Sequence, residues 1–326
     1  MKKRLIKKTL IISAVAMIVS LFAVSSVFAA LDWGHAREDG GQAGSYLAWG
    51  AGARSLGMGK AYVGLSDDAS SVYWNAAGMT QVESREMTAL YSVLWEKTNY
   101  SFLSYTQPLV VKNRNYGNIG IAMVNLSSTG FDKRDIYNNE QGTAGLSEMA
   151  GIVSYAKKLT KEISAGASVK VASQRIDTYS DTGYGLDLGL LYKARSQSRL
   201  LKPLTVGLSV QNLIAPQIKL KSETDTFPRA VRAGLAYRFF NQSLITAIDA
   251  DKTENRSVKM HYGVEFSPNE LLAIRAGLDE TEITAGFGVN VAGFGLDYAF
   301  SYHDAWKGHE DLGNSHRFGM TYNWGK

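Results

Sequence analysis

The chain has 326 residues, with 35 Lys+Arg against 30 Asp+Glu, no cysteine, 17 Tyr and 6 Trp. The formal charge of +5 belongs to the first thirty residues, which hold five basic and no acidic side chains and leave 30 of each sign behind them, so a basic surface for nucleic acid is excluded. The absence of cysteine excludes a disulfide framework, a thiolate metal site, a cysteine nucleophile and lipid attachment through an N-terminal Cys.

Lys2, Lys3, Arg4, Lys7 and Lys8 precede an uncharged run from Thr9 to Ala30, and Val27-Phe28-Ala29 places small residues where a signal peptidase cuts. The run is long enough to serve as an anchor, but the cleavage site favours a signal peptide over 1–29 and a mature start at Ala30. Mean hydropathy over the chain is −0.13, and no later stretch approaches the roughly 20 apolar residues of a membrane helix. A membrane β-barrel is the integral class that escapes such a scan, because half of each strand is polar.

Residues 30–86 do not alternate. They are Gly-rich and contain a stretch, Ser66 to Tyr73, that predicts a short helix capped by Ser66 or Asp67 and ended by Asn75 and Gly78. A segment of this length ahead of the first strand predicts a plug in a barrel lumen or at its mouth.

From residue 87 onward the period is two. The pattern predicts 14 strands, near 87–95, 99–108, 116–125, 147–157, 162–174, 183–193, 203–212, 229–240, 243–251, 257–267, 270–279, 281–291, 293–303 and 315–324. In the clearest, Val258, Met260, Tyr262, Val264 and Phe266 alternate with Lys259, His261, Gly263 and Glu265. Such a strand fits a soluble sandwich or a transmembrane barrel, and connection lengths favour the barrel. Turns leaving even-numbered strands are short, while four that leave odd-numbered ones are long, at 126–146, 175–182, 213–228 and 304–314. Tyr192, Tyr237, Tyr302, Tyr322 and Trp324 suit an interfacial aromatic girdle. The expected class is therefore all-β, a 14-stranded antiparallel transmembrane barrel over 87–326 with an N-terminal plug, surrounded by outer-membrane lipid.

The chain ends Arg317-Phe318-Gly319-Met320-Thr321-Tyr322-Asn323-Trp324. Arg317, Gly319, Tyr322 and Trp324 resemble the C-terminal signal read by the outer-membrane barrel assembly machinery, with Gly325 and Lys326 following where the aromatic is usually last.

The run Gly52-Ala53-Arg54-Ser55-Leu56-Gly57-Met58-Gly59-Lys60-Ala61-Tyr62-Val63-Gly64-Leu65-Ser66-Asp67-Asp68-Ala69-Ser70-Ser71-Val72-Tyr73-Trp74-Asn75-Ala76-Ala77-Gly78-Met79 resembles the N-terminal signature of the PorV/PorQ family, which is related to the FadL-type long-chain fatty-acid transporters. One departure is Asn75-Ala76-Ala77-Gly78, where the family has Asn-Pro-Ala-Gly. The resemblance implies a plugged 14-stranded barrel serving protein secretion of the type IX kind, with cargo proteins as partners. Its alternative is a FadL-like channel for hydrophobic small molecules.

The plug or ligand candidates are Arg54, Leu56, Gly57, Met58, Gly59, Tyr62, Asp67, Asp68, Tyr73, Trp74 and Asn75, and an apolar pocket would draw on Leu56, Met58, Tyr62, Val72, Tyr73, Trp74 and Met79. Gly57-x-Gly59 lacks the third glycine and the βαβ setting of a phosphate-binding loop. Strand parity sends Arg232, Arg238, Lys259, His261, Glu265, Arg275 and Asp297 inward, together with Lys170, Asp187, Asp249, Asp251 and Asp279, where opposite charges on neighbouring strands are expected to pair. No nucleophile, base and orienting group occur in a recognisable order, so an enzyme is not expected. His303, His309 and His316 with Asp304, Glu310 and Asp311 match no compact ligand spacing. No metal or cofactor is expected.

Overall fold

A computed structural model describes residues 43–94, 97–112, 114–194, 203–280, 282–302 and 314–325. The signal-peptide reading of 1–29 and the 303–313 part of the last long loop, with His303 and His309, lie outside them.

Among the described residues there are sixteen strands: β1 (Arg85–Val93), β2 (Thr98–Val111), β3 (Arg114–Arg134), β4 (Glu140–Lys158), β5 (Ile163–Ile176), β6 (Tyr179–Lys193), β7 (Leu204–Ile214), β8 (Gln217–Ile218), β9 (Asp225–Thr226), β10 (Ala230–Phe239), β11 (Leu244–Thr253), β12 (Val258–Phe266), β13 (Leu272–Asp279), β14 (Glu282–Val291), β15 (Phe294–Tyr302) and β16 (Ser315–Trp324). Fourteen of them pair antiparallel in chain order, β7 with β10 across the β8–β9 hairpin, and β16 closes onto β1 with Arg85 opposite Trp324 and Val93 opposite His316. The remaining two, β8 and β9, form a separate hairpin between β7 and β10. Closure removes every sheet edge from the wall, the condition for backbone to cross lipid.

Alternation becomes two chemically distinct faces. On β12, His261, Gly263 and Glu265 are buried while Val258 and Phe266 are exposed. Elsewhere on the outer face Val153, Leu296 and Phe318 are each at least 60 % exposed. An apolar surface running round a closed barrel is the mark of a transmembrane wall. Stacked rings extend round the short-turn rim: Phe294 on Tyr322, Tyr322 on Trp324, and Trp324 on Tyr105, with centroids 4.2, 5.0 and 5.7 Å apart.

The long connections differ from expectation. Most of 126–146 is strand, because β3 runs to Arg134 and β4 restarts at Glu140. Its residues pair across the hairpin to Arg134–Glu140 without an apolar face, which is why alternation does not reveal them. Likewise 175–182 shrinks to a turn between Ile176 and Tyr179, and 213–228 holds the β8–β9 hairpin. The barrel begins at Arg85, two residues before the expected start.

Candidate functional site

The segment ahead of β1 fills the lumen with short helical turns: Ser45–Ala48, Ala53–Gly57, Ser71–Trp74 and Ala76–Gln81. None exceeds six residues, too short to be stable alone, so tertiary packing and side-chain bonds must hold them. The helix expected from Ser66 starts instead at Ser71. Ser66 adopts φ +30°, and the Asp67 carboxylate is drawn to arginines rather than to a helix terminus.

Arg54 organises the polar contacts. It donates to Glu265 through Nε–Oε2 and Nη2–Oε1, both 2.8 Å, the fork geometry of a bidentate carboxylate pair. Its Nη1 donates to Asp67 at 2.7 Å and to the Tyr62 hydroxyl at 3.0 Å. Glu265 also accepts from Arg275 at 2.6 Å, and Arg275 continues to Asp297 at 2.6 Å. Arg238 reaches Asp67 at 3.1 Å and Thr205 at 2.8 Å. One chain of charge thus joins the plug to β10, β12, β13 and β15.

In the plug, outside the spanning strands, neighbouring carboxylates behave oppositely. Burial pushes Asp67 up, but Arg54 and Arg238 overcome it and hold it below the usual carboxylate range. Burial dominates at Asp68 and raises it, despite Arg54 and the hydrogen bonds from Ser70 and Tyr62. Burial also raises the hydroxyls of Tyr62 and Tyr73.

Other links lie along the wall. Asp249 accepts the backbone N–H groups of Tyr62 and Val63, each at 2.6 Å, and Glu86 accepts Ala69 N at 2.7 Å. Lys60 pairs with Asp279 at 2.8 Å, and His261 lies 3.0 Å from the same carboxylate. Arg232 donates to Asp251 at 2.8 Å and lies over the Trp74 ring. Lys170 pairs with Asp187 at 3.0 Å, and Lys259 with Glu280 at 3.1 Å. Sequence parity places the other wall partners inward but misses Lys60, Glu86 and Glu280; the one signal for Glu86 is its charge at an inward position of β1.

The apolar candidates occupy packed positions instead of lining a pocket. Leu56, Met58, Tyr62, Val72, Tyr73, Trp74 and Met79 are at most 5 % exposed and belong to one core with the inner wall. Trp74 Nε1 donates to Ala51 O at 2.8 Å, and the Tyr73 hydroxyl donates to Leu47 O. Asn75 accepts from Ala77 N and donates to Leu190 O at 3.0 Å, tying the plug to β6. Thr284 on β14 donates to Gly57 O at 3.2 Å. Gly59 has φ +60°, and a Cβ there would lie 2.5 Å from Leu278 N; one on the facing Gly277 would lie 2.3 Å from Gly59 N. Backbone meets backbone at that point, and only glycine permits it.

Beside Arg54 a cavity of about 250 Å³ is lined by Asp67, Asp68, Glu86, Arg275 and Asp297. A second space of about 640 Å³ shares Asp67, Glu86 and Asn323 and reaches Gly293, Trp324 and Gly325 at the short-turn rim. Both are polar. At the C-terminus, Arg317 donates inward to Ser301 at 2.5 Å and Gly319 faces Ala53 of the plug, while Tyr322 and Trp324 belong to the outer aromatic stack. His316 faces outward, with Nδ1 2.7 Å from the Tyr298 hydroxyl. Among the described residues no group of His, Asp and Glu is arranged to hold a metal ion.

No protein-family model and no curated protein matches the chain. Solved structures do. The CymD monoaromatic hydrocarbon channel superposes with a TM-score of 0.61 at 13 % identity, over 85 % of this chain and 98 % of that one. The Pseudomonas putida toluene transporter TodX gives 0.58 at 13 %, over 83 % and 96 %. A Pseudomonas aeruginosa FadL homologue gives 0.54 at 11 %, over 83 % and 98 %. The chain has the fold of these proteins.

Proposed function

We propose that this protein is an outer-membrane channel for hydrophobic small molecules, with the segment 43–84 as its plug. The observation that carries the reading is the shared architecture: a closed 14-stranded barrel with an internal plug, matching hydrocarbon channels over nearly their whole length. The export signal at 1–29 and the apolar outer wall support placement in the outer membrane. This likeness favours the channel over the secretion accessory implied by the Gly52–Met79 motif. The plug fills the lumen in the described form, so passage requires it to shift, and the spaces beside it give it room on the short-turn side.

Equilibrium binding tests the reading. Purified full-length protein in mild detergent should bind a radiolabelled monoaromatic hydrocarbon saturably, above partition into empty micelles. Partition equal to empty micelles, together with a stoichiometric co-purifying secreted protein, would instead favour the secretion accessory.

A further inference from the structure

The short-turn rim carries charge that the folded barrel does not use. Lys112 and Arg114 flank the β2–β3 turn, Lys157, Lys158 and Lys161 the β4–β5 turn, and Lys193 ends β6. All six are exposed, and Glu162 is the one carboxylate on these turns. They are neighbours in space: Val111 pairs with Arg114, Lys158 with Ser164, and Lys193 N donates to Glu162 O at 2.8 Å. Five adjacent strands at ~4.8 Å spacing make an arc roughly 20 Å wide. The chain behind residue 30 carries equal numbers of each sign, so six cations against Glu162, with Glu83 near Lys193, is a local concentration of charge.

The outer wall beneath the arc says what covers it. Tyr116, Tyr155 and Tyr192 are exposed on β3, β4 and β6, and Lys157 follows Tyr155 on the same outward side of β4. Val110, Val111, Leu159 and Ile163 are exposed among the cations. Apolar side chains, then a tyrosine girdle, then lysines is the order in which a lipid presents acyl chain, glycerol region and phosphate. On the opposite rim the cations of the β3–β4 hairpin are neutralised, Lys133 by Asp177 and Arg134 by Asp132 and Glu140.

We infer that the arc Lys112–Arg114–Lys157–Lys158–Lys161–Lys193 binds the headgroups of anionic phospholipids in the leaflet at the short-turn rim. The inference rests on the transmembrane fold and is independent of what the channel carries. Juxtamembrane lysines and arginines each strengthen attraction to an anionic leaflet about fivefold. Removing three therefore lowers retention on the order of a hundredfold, and salt weakens it.

Native mass spectrometry of the full-length protein, released from nanodiscs of phosphatidylethanolamine with phosphatidylglycerol, tests this. The wild type should retain phosphatidylglycerol preferentially, K157Q/K158Q/K161Q should lose that preference, and K133Q/R134Q at the other rim should keep it. Heat-modifiable migration on gels certifies that each barrel is folded; if the triple variant does not fold, the wild-type preference and its loss in high salt decide. Equal retention of the two lipids by the wild type, or a folded triple variant that retains phosphatidylglycerol as the wild type does, overturns the inference. Neither result depends on hydrocarbon transport.

Discussion

Arg54 of the plug and Glu265 of β12, 211 residues apart in sequence, meet in a two-point ion pair with both N–O distances at 2.8 Å. Glu265 also serves Arg275, and Arg54 also serves Asp67, so the pair joins two branches of one network. Losing one partner therefore strands charge in the lumen, whereas losing both strands less. Breaking a buried pair from one side costs 3–5 kcal/mol; Arg54 is 20 % exposed, and water in the adjoining cavity lowers this to about 3 kcal/mol. R54M should lower the urea midpoint and expose the plug to protease. R54M/E265Q should lose less than the sum of the single variants, with coupling of about 2 kcal/mol. Additive losses would show that the pair is not a unit.

Asp67 and Asp68 respond to pH in opposite directions. Asp67 is lowered in the folded protein, so it contributes stability above its unfolded value near 4, lost as pH falls through the folded value. Asp68 is raised, so stability falls as pH rises from the unfolded value through the folded one. At pH 7 D67N should cost about 2 kcal/mol by releasing Arg54 and Arg238, and the difference from wild type should shrink below pH 4. D68N should be neutral or stabilising at pH 7, with the wild type converging on it in acid. Urea midpoints from pH 3 to 8 measure both; a larger loss for D68N than for D67N at pH 7 would reverse the assignment.

Gly59 tests the contact between plug and wall. A side chain there meets the Leu278 backbone and requires φ +60°, an unfavourable conformation costing about 1–3 kcal/mol before any overlap. G59V should leave a heat-modifiable barrel whose plug is cut by protease within the 43–84 segment. A protected plug in G59V would mean that the close approach is dispensable.

The outer wall makes a separate test. Val171 lies opposite Gly151, four residues along β4 from the girdle residue Tyr155, and it is exposed. V171R should destabilise the inserted barrel by about 2–4 kcal/mol, the midplane value for a lipid-facing cation, while V171I is silent. Tolerance of arginine at this site would place the wall in water.

The barrel was legible because a wall wetted on one face and greasy on the other writes period two into every strand, as Val258 to Phe266 show. The β3–β4 extension was not, since its residues beyond Ser128 lack an apolar face and are held by ladder bonds and exposed polar pairs such as Lys133–Asp177. Within the plug, the Gly52–Met79 segment offered Arg54, Asp67 and Asp68 as candidates but could not say which charged wall residue each would meet. Those partners lie up to 211 residues away and are fixed by how the barrel closes. The apolar set from Leu56 to Met79 has the composition of a binding pocket and of a packed plug alike, and only the three-dimensional contacts distinguish them.

The central claim is that this barrel passes hydrophobic molecules across the outer membrane. Its most direct test is uptake of a radiolabelled monoaromatic hydrocarbon by cells that lack such channels and express the full-length protein, with folded barrel in the outer membrane verified by heat-modifiability. The account expects uptake faster than in cells without the barrel, no gain for a polar sugar, and a changed hydrocarbon rate in G59V. Hydrocarbon uptake equal to that of cells without the barrel would contradict it.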